Sequence, residues 1–167
     1  MQSLLYSLIR KGLRPENWRL LLRTLRAAQV VRGALPGPEI DPHLGAAIRA
    51  AEAVYLPRQP GWTISEPQLI ASAAVLVTAL PRRWGRCVQQ SLITYRLLNG
   101  YGIPARVCYG ISNTNPDRSG HAWVRAVNPS DQVLVGSSEP LDRFRIVFIS
   151  VEPADEDRDS CSRQAGQ

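Results

Sequence analysis

Two residues have the types and the spacing that nucleophilic catalysis needs. Cys87 stands where a predicted helix begins, and His121 stands 34 positions later, where a predicted strand begins. A thiol becomes a good nucleophile when it loses its proton. The N–H groups of a helix N-terminus favour the thiolate, and an imidazole can accept the proton. Arg83 and Arg86 add positive charge beside Cys87. This pattern indicates a cysteine enzyme, in which the same N–H groups could hold an oxyanion.

Each of these residues also has a purely structural interpretation. A lone cysteine is usually a buried core residue, and a lone histidine is usually a packed or surface residue. We interpret the remaining candidates structurally: Cys108 packs in its strand, Cys161 lies in the tail without a function, and His43 is structural. Trp84 fits either core packing or the wall of a substrate groove.

The elements that would position Cys87 and His121 change character near residue 100. Helical periodicity covers the first part of the chain and strand alternation the second, so we predict an α+β fold. In it, N-terminal helices precede a Cys-bearing helix that packs on a small antiparallel sheet. The predicted helices span 16–32, 41–55, 65–80 and 87–98, and the predicted strands span 105–112, 121–127, 132–135 and 145–151. Asn99 and Gly100 form the predicted end of the Cys-bearing helix.

Periodicity also predicts which side chains face the core. The first helix has an apolar set that we expect to be buried: Trp18, Leu21, Leu22, Leu25 and Ala28. Arg19, Arg23 and Arg26 then form its exposed face. Alternation in the first strand separates Val107, Tyr109 and Ile111 from Arg106, Cys108 and Gly110, and in the second strand it groups His121 with Trp123, Arg125 and Val127.

Composition and charge suggest three parts: an N-terminal helical region over residues 1–60, a catalytic core over 61–151, and a disordered acidic tail over 152–167. Residues 1–151 carry 18 Arg or Lys and 9 acidic residues. This positive body would attract an acidic peptide, a nucleic acid or a membrane surface, although a solvated arginine-rich face is an equally good interpretation. Aromatic residues are only 7% and do not alternate with arginines, which argues against nucleic acid.

Several function classes find no support in the sequence. Three cysteines without close pairing favour a reducing compartment, and we expect a cytoplasmic protein. The chain shows no metal-ligand cluster and no phosphate-binding loop, so we expect neither a metal nor a nucleotide cofactor. No apolar run reaches the length of a membrane span, and membrane contact is not expected. Residues 1–13 lack the basic start and small-residue cleavage site of a signal peptide.

Cys87 and His121 lie in a set of motifs that resembles a known family. The motifs are Cys-x-x-x-Ser-Leu-x-x-Tyr-x-Leu-Leu from Cys87 to Leu98, then Gly102-Ile103-Pro104-Ala105-Arg106, then Gly120-His121-Ala122-Trp123-Val124. The set resembles a transglutaminase-like cysteine protease and, more narrowly, the stand-alone leader peptidase of lasso-peptide biosynthesis. The matching motifs cover about residues 84–127, with weaker similarity over 134–147.

This resemblance implies that Cys87 attacks the peptide bond between the leader and the core of a precursor peptide. His121 would activate the thiol and protonate the leaving amine. In the family, an acidic residue on the strand after the histidine orients the imidazole. Asp131 is the nearest carboxylate here, while Glu139 and a triad without a carboxylate remain alternatives. We find no upstream glutamine that would serve as an oxyanion donor.

The resemblance also implies partners: the precursor's leader segment, a separate small leader-recognition protein, and a separate ATP-dependent lasso cyclase. Residues 1–60 show no strand signal, so we expect no recognition domain within them. Two alternatives stay open. One is transglutaminase-like acyl transfer or deamidation, and the other is a non-catalytic basic scaffold that binds peptide.

Overall fold

Helices precede strands throughout the described part of the chain. The computed structural model describes residues 15–35, 44–64, 67–78, 86–113, 120–127, 133–135 and 141–150. The helices are α1 (Pro15–Ala34), α2 (Leu44–Val54), α3 (Pro67–Thr78) and α4 (Arg86–Gly100). The strands are β1 (Ala105–Ser112), β2 (Gly120–Ala126), β3 (Val133–Val135) and β4 (Phe144–Ile149), with a 3-10 turn over Leu141–Arg143. The α+β prediction is confirmed.

The four strands form one antiparallel sheet in the order β3-β2-β1-β4. The register of β1 and β2 pairs Tyr109 with Ala122 and Gly110 with His121. Directly opposed residues share a face of the sheet. Tyr109 therefore lies on one face and His121, with Trp123, on the other, as the alternation predicted.

The sheet has an inner face that packs on the helices. Val107, Tyr109, Ala122 and Val124 belong to the same buried cluster as residues of all four helices. Helix α4 lies at the centre, because its residues Leu92, Ile93, Leu97 and Leu98 are each at most 1% exposed. The buried part of α4 is its later part, residues 91–100 apart from Arg96, whereas Cys87 near its start is partly exposed.

The predicted core face of α1 is wrong. Trp18, Leu22 and Leu25 are 58%, 54% and 44% exposed. The buried side instead carries Leu20, Thr24, Ala27, Ala28 and Val31. Small side chains let α1 approach its neighbours closely. The buried Thr24 hydroxyl donates a hydrogen bond to the Leu20 carbonyl at 2.8 Å, so its polar group is satisfied inside the core. Of the set predicted to be buried, Ala28 is buried and Leu21 is partly buried against the core.

Arg23, predicted to be exposed, lies over the core margin. Its guanidinium carbon is 4.0 Å from the centroid of the Trp62 ring, and its Nη1 donates a hydrogen bond to the Tyr101 hydroxyl at 2.9 Å. The Trp62 and Tyr101 rings contact each other, with centroids 5.1 Å apart. This cation–π contact joins α1 to the end of α4.

Helix α4 ends at Gly100, as predicted, and Gly102, two residues further on, caps it. Gly102 has φ +75°, its N–H donates to the Asn99 carbonyl at 2.8 Å, and the Ile103 N–H donates to the Leu98 carbonyl at 2.9 Å. These two bonds form a Schellman motif, in which a left-handed glycine closes the helix. Gly100 is needed for space, because a Cβ there would lie 2.9 Å from Cδ2 of Leu56.

The remaining boundaries agree with the predictions to within a few residues, and β1 agrees at both ends. The predicted start of the second helix at Asp41 and of the third at Ser65 lie outside the described residues, as does the tail from residue 152. Helices α1 and α2 share their core with α4 and the sheet. The division of the chain at residue 60 stays a prediction.

Candidate active site

Cys87 is the second residue of α4. The helix begins at Arg86, so the N–H groups of its first turn surround the cysteine. The thiol is free and partly exposed. Cys87 is therefore partly at the surface, whereas Cys108 is fully buried in β1. The prediction that Cys108 packs in its strand is confirmed.

Tyr109 locates Cys87 relative to the sheet. Burial raises the pKa of the Tyr109 hydroxyl, and negative charge on the Cys87 thiolate raises that pKa further. Coulombic coupling of this kind requires proximity between the two groups. The Tyr109 ring also packs against Phe148 of β4, with centroids 5.7 Å apart. Cys87 is thus within electrostatic range of Tyr109, whose side chain belongs to the buried cluster on the inner face of the sheet.

His121 packs among aromatic rings on the outer face. Its ring stacks on Trp123 with centroids 6.0 Å apart and an interplanar angle of 19°. The centroid of the Phe144 ring, on β4, lies 5.1 Å from the centroid of the His121 ring, with an interplanar angle of 31°. Trp123 and Phe144 form a small buried cluster with Cys108. Two rings in contact with one imidazole restrict the directions in which its nitrogens can point.

Gly110 makes room for this aromatic cluster. It pairs directly with His121 in the ladder. A Cβ at Gly110 would lie 2.9 Å from Cβ of Phe144 and 2.9 Å from Cη2 of Trp123. The Trp123 ring therefore lies across the position where another residue would have a side chain. Trp123 is 1% exposed, and its Nε1 has no hydrogen-bond partner in the part of the chain that the structure describes.

Cys87 and His121 are each related to a residue of β1, the first by electrostatic interaction and the second by strand pairing. Tyr109, which is coupled to Cys87, and Gly110, which pairs with His121, are neighbours in β1. By strand register alone the imidazole lies on the outer face and Tyr109 on the inner face. A contact between Cys87 and His121 would therefore have to form around the end of the β1–β2 ladder. That end lies one pair beyond His121, where Ile111 pairs with Gly120. The catalytic pairing stays a prediction.

Other predicted site residues lie outside the described residues. They are Asp131, Glu139, Arg83, Trp84, His43 and Cys161, and the side chain of Arg86 also lies outside. In the described ranges, no group of His, Cys, Asp or Glu side chains could hold a metal ion. Among the helices that the structure describes, none is long and apolar enough to cross a membrane.

Sequence reasoning missed the role of Tyr109 and the cluster around His121. One signal was present, because His121 and Trp123 stand two apart on a strand and share a face. Gly110 in the preceding strand was a second signal, since an interior strand glycine often marks a close approach. Phe144 carried no such signal, because it comes from β4, 23 positions beyond His121.

A family model described as the transglutaminase-like superfamily matches residues 9–149, a range that includes both Cys87 and His121. The chain belongs to the transglutaminase-like superfamily. No curated protein and no solved structure gives a significant match to it. Membership of this superfamily indicates activity of the cysteine peptidase or acyltransferase type.

Proposed function

We propose that this protein is a cysteine peptidase that removes the leader from a ribosomally made lasso-peptide precursor. The observation that carries the proposal is the position of Cys87. It is a free, accessible thiol in the first turn of a buried helix, in a chain of the transglutaminase-like superfamily. The narrower choice of substrate comes from the motifs around Cys87 and His121. Cytoplasmic action is part of the proposal, since the reaction requires a reduced thiol.

The proposed reaction has two steps. The Cys87 thiolate attacks the carbonyl carbon of the bond between leader and core, and the N–H groups at the start of α4 donate hydrogen bonds to the oxyanion. The C–N bond then breaks, and His121 donates its proton to the leaving amine. Water, deprotonated by His121, attacks the thioester carbon, the C–S bond breaks, and His121 returns the proton to the Cys87 sulfur. The products are a leader carboxylate, a free core N-terminus and the restored thiol.

Asp131 is the proposed third member, with Glu139 or no carboxylate as alternatives. A carboxylate that accepts a hydrogen bond from the imidazole nitrogen facing away from Cys87 would fix the tautomer. In that tautomer the nitrogen facing Cys87 keeps its lone pair. Asp131→Asn and Glu139→Gln, compared side by side, separate these possibilities. The variant that lowers kcat/KM about 100-fold or more identifies the orienting residue. If neither does, the site works without one.

Delivery of the leader is proposed to depend on a separate small recognition protein. The positive body over residues 1–151 would favour an acidic leader or an acidic partner. A separate ATP-dependent cyclase would close the freed core N-terminus onto a side chain. The test of delivery is cleavage of the precursor with and without the recognition protein. Equal rates in the two reactions would remove the delivery step from the proposal.

The central experiment combines purified enzyme and precursor with mass spectrometry of the products. Cys87→Ala and His121→Ala should each abolish cleavage, while Gly33→Ala, whose Cβ would meet nothing within 4 Å, serves as the control substitution. Two products whose masses add up to precursor plus one water support a peptidase. A crosslink, or conversion of a glutamine to a glutamate, supports acyl transfer or deamidation instead. Full pathway activity of Cys87→Ala would support a non-catalytic scaffold.

A second measurement needs no substrate. Iodoacetamide should alkylate Cys87 much faster than Cys108 near neutral pH, because Cys87 is accessible and Cys108 is not. His121→Ala should change the pH dependence of Cys87 alkylation if the imidazole accepts the thiol proton. An identical profile in His121→Ala and the wild-type protein would show that the two groups do not communicate.

A further inference from the structure

Helix α1 carries an apolar ridge on the side opposite its buried face. Trp18, Leu22 and Leu25 are spaced by four and three residues, so they fall on one line along the helix. All three are large and about half exposed or more. Single exposed apolar residues are ordinary on protein surfaces, whereas contiguous apolar patches are typical of interaction surfaces.

Arginines flank this ridge. Helical periodicity places Arg19 and Arg26 along one flank of the ridge and Arg32 two turns beyond Leu25, and all three are exposed. The sequence from 17 to 35 contains no Asp or Glu. The ridge and its flanks form what we term the α1 outer face: Trp18, Leu22, Leu25, Arg19, Arg26 and Arg32. The α1 outer face is complementary to a partner surface in which apolar side chains lie between carboxylates.

The chain's own segments do not match the α1 outer face. Residues 1–14 are apolar, but their charged residues are Arg10, Lys11 and Arg14, which would bring like charges to the arginines. Residues 152–167 are acidic but contain no large aliphatic or aromatic residue to cover the ridge. A second copy of the chain would set arginines against arginines across a two-fold axis.

We propose that the α1 outer face is the docking surface for a separate protein that presents an acidic amphipathic segment. Apolar side chains of that segment would cover Trp18, Leu22 and Leu25, and its carboxylates would pair with the flanking arginines. The inference rests on α1 alone and holds whether or not Cys87 is a nucleophile. Docking here is predicted to weaken as salt concentration rises, since the exposed charges are screened.

A designed probe can test this chemistry with the full chain. The probe is a dye-labelled synthetic helix whose leucine ridge is flanked by glutamates, and its matched control carries lysines instead of the glutamates. Fluorescence anisotropy should show binding of the glutamate helix at least tenfold tighter than of the lysine helix. Leu22→Ser combined with Leu25→Ser should weaken binding of the glutamate helix at least tenfold, because two apolar contacts are lost.

Charge reversal provides the sharper arm. Arg19→Glu combined with Arg26→Glu should reverse the preference, so that the lysine helix binds more tightly than the glutamate helix. Val75→Ser on α3 and Arg49→Glu on α2 are the controls, because both residues are exposed and neither belongs to the α1 outer face. All changed side chains are exposed, and circular dichroism should show unchanged helix content.

Other occupants give different results, each of which would overturn the proposal. Binding to phosphatidylglycerol vesicles that Leu22→Ser/Leu25→Ser abolishes, without binding of the glutamate helix, would assign the face to a membrane surface. A dimer in analytical ultracentrifugation that the same double variant dissociates would assign it to a second copy. Equal binding of the two helices, or unchanged binding in the double serine variant, would leave no role for the ridge and its arginines.

Discussion

Replacing Gly110 by alanine tests whether the outer aromatic cluster supports His121. The added Cβ would lie 2.9 Å from Cβ of Phe144, an atom fixed to the backbone of β4 that cannot rotate away. Overpacking of this kind costs about 1–3 kcal/mol. The loss of glycine's freedom in the unfolded chain offsets about 0.4–1 kcal/mol. We expect a net decrease in the free energy of unfolding of up to about 2.6 kcal/mol.

The same substitution should reduce activity by more than the loss of stability explains. Trp123 and Phe144 are the two rings against the imidazole, and both would have to shift to admit the new methyl group. A displacement of about 1 Å at a catalytic group costs on the order of 10²-fold in rate. The assays are urea unfolding, followed by circular dichroism, and precursor cleavage at a temperature where the variant is fully folded.

Gly33 offers the matched control. It lies in α1, and a Cβ there would meet nothing within 4 Å. Gly33→Ala should therefore stabilise the protein by about 0.5–1 kcal/mol and leave cleavage unchanged. If Gly110→Ala unfolds at the same urea concentration as the wild-type protein and cleaves at the same rate, the cluster does not support His121.

Four further changes have defined outcomes. Gly102→Ala places a side chain at φ +75° and should lower the free energy of unfolding by about 1–2 kcal/mol in urea titrations. Arg96→Ala removes a hydrogen bond of 2.8 Å to the Val54 carbonyl at the end of α2; it should cost about 2 kcal/mol, and Arg96→Lys should cost less. Thr94→Val replaces a buried hydroxyl that has no partner in the described part of the chain, and should raise the melting temperature. Burial raises the pKa of Tyr109 above its unfolded value, so its stabilising contribution is complete below about pH 10 and is lost as pH rises through the folded pKa. Tyrosinate absorbance should therefore show Tyr109 ionising only at strongly alkaline pH or on unfolding, and Tyr109→Phe should remove that late step.

Local signals predicted β1 and the start of α4 well. The alternation from Ala105 to Ser112 lies between a proline and a polar loop, so the strand has the same bounds in sequence and structure. Cys87 was placed at a helix start because helix signals act over a few residues. The predicted helix end at Asn99 and Gly100 agrees with the structure, whereas the cap at Gly102 was not predicted, because it depends on the hydrogen bonds from Gly102 and Ile103.

The buried face of α1 could not be predicted from its own periodicity. This helix has apolar residues on two sides, and the bulkier side, with Trp18 and Leu22, is the exposed one. Which side is buried depends on how closely α1 approaches α4, and Ala27 and Ala28 permit the close approach. The aromatic cluster around His121 could not be predicted from the sequence for a related reason. It requires the register of β4 on β1, which is shifted by a bulge between Tyr109 and Gly110.

That bulge bears on how the site is built. Bulges redirect side chains locally and are common beside active sites. Here the irregularity falls between the residue coupled to Cys87 and the residue paired with His121. Strand β1 is also paired on both sides, with β2 and β4, so it is an interior strand held by two ladders. If Cys87 and His121 act together, β1 is their common support. Substitutions at Tyr109 and Gly110 should then alter the pH dependence of Cys87 alkylation. Substitutions at exposed positions of α1 should leave that pH dependence unchanged.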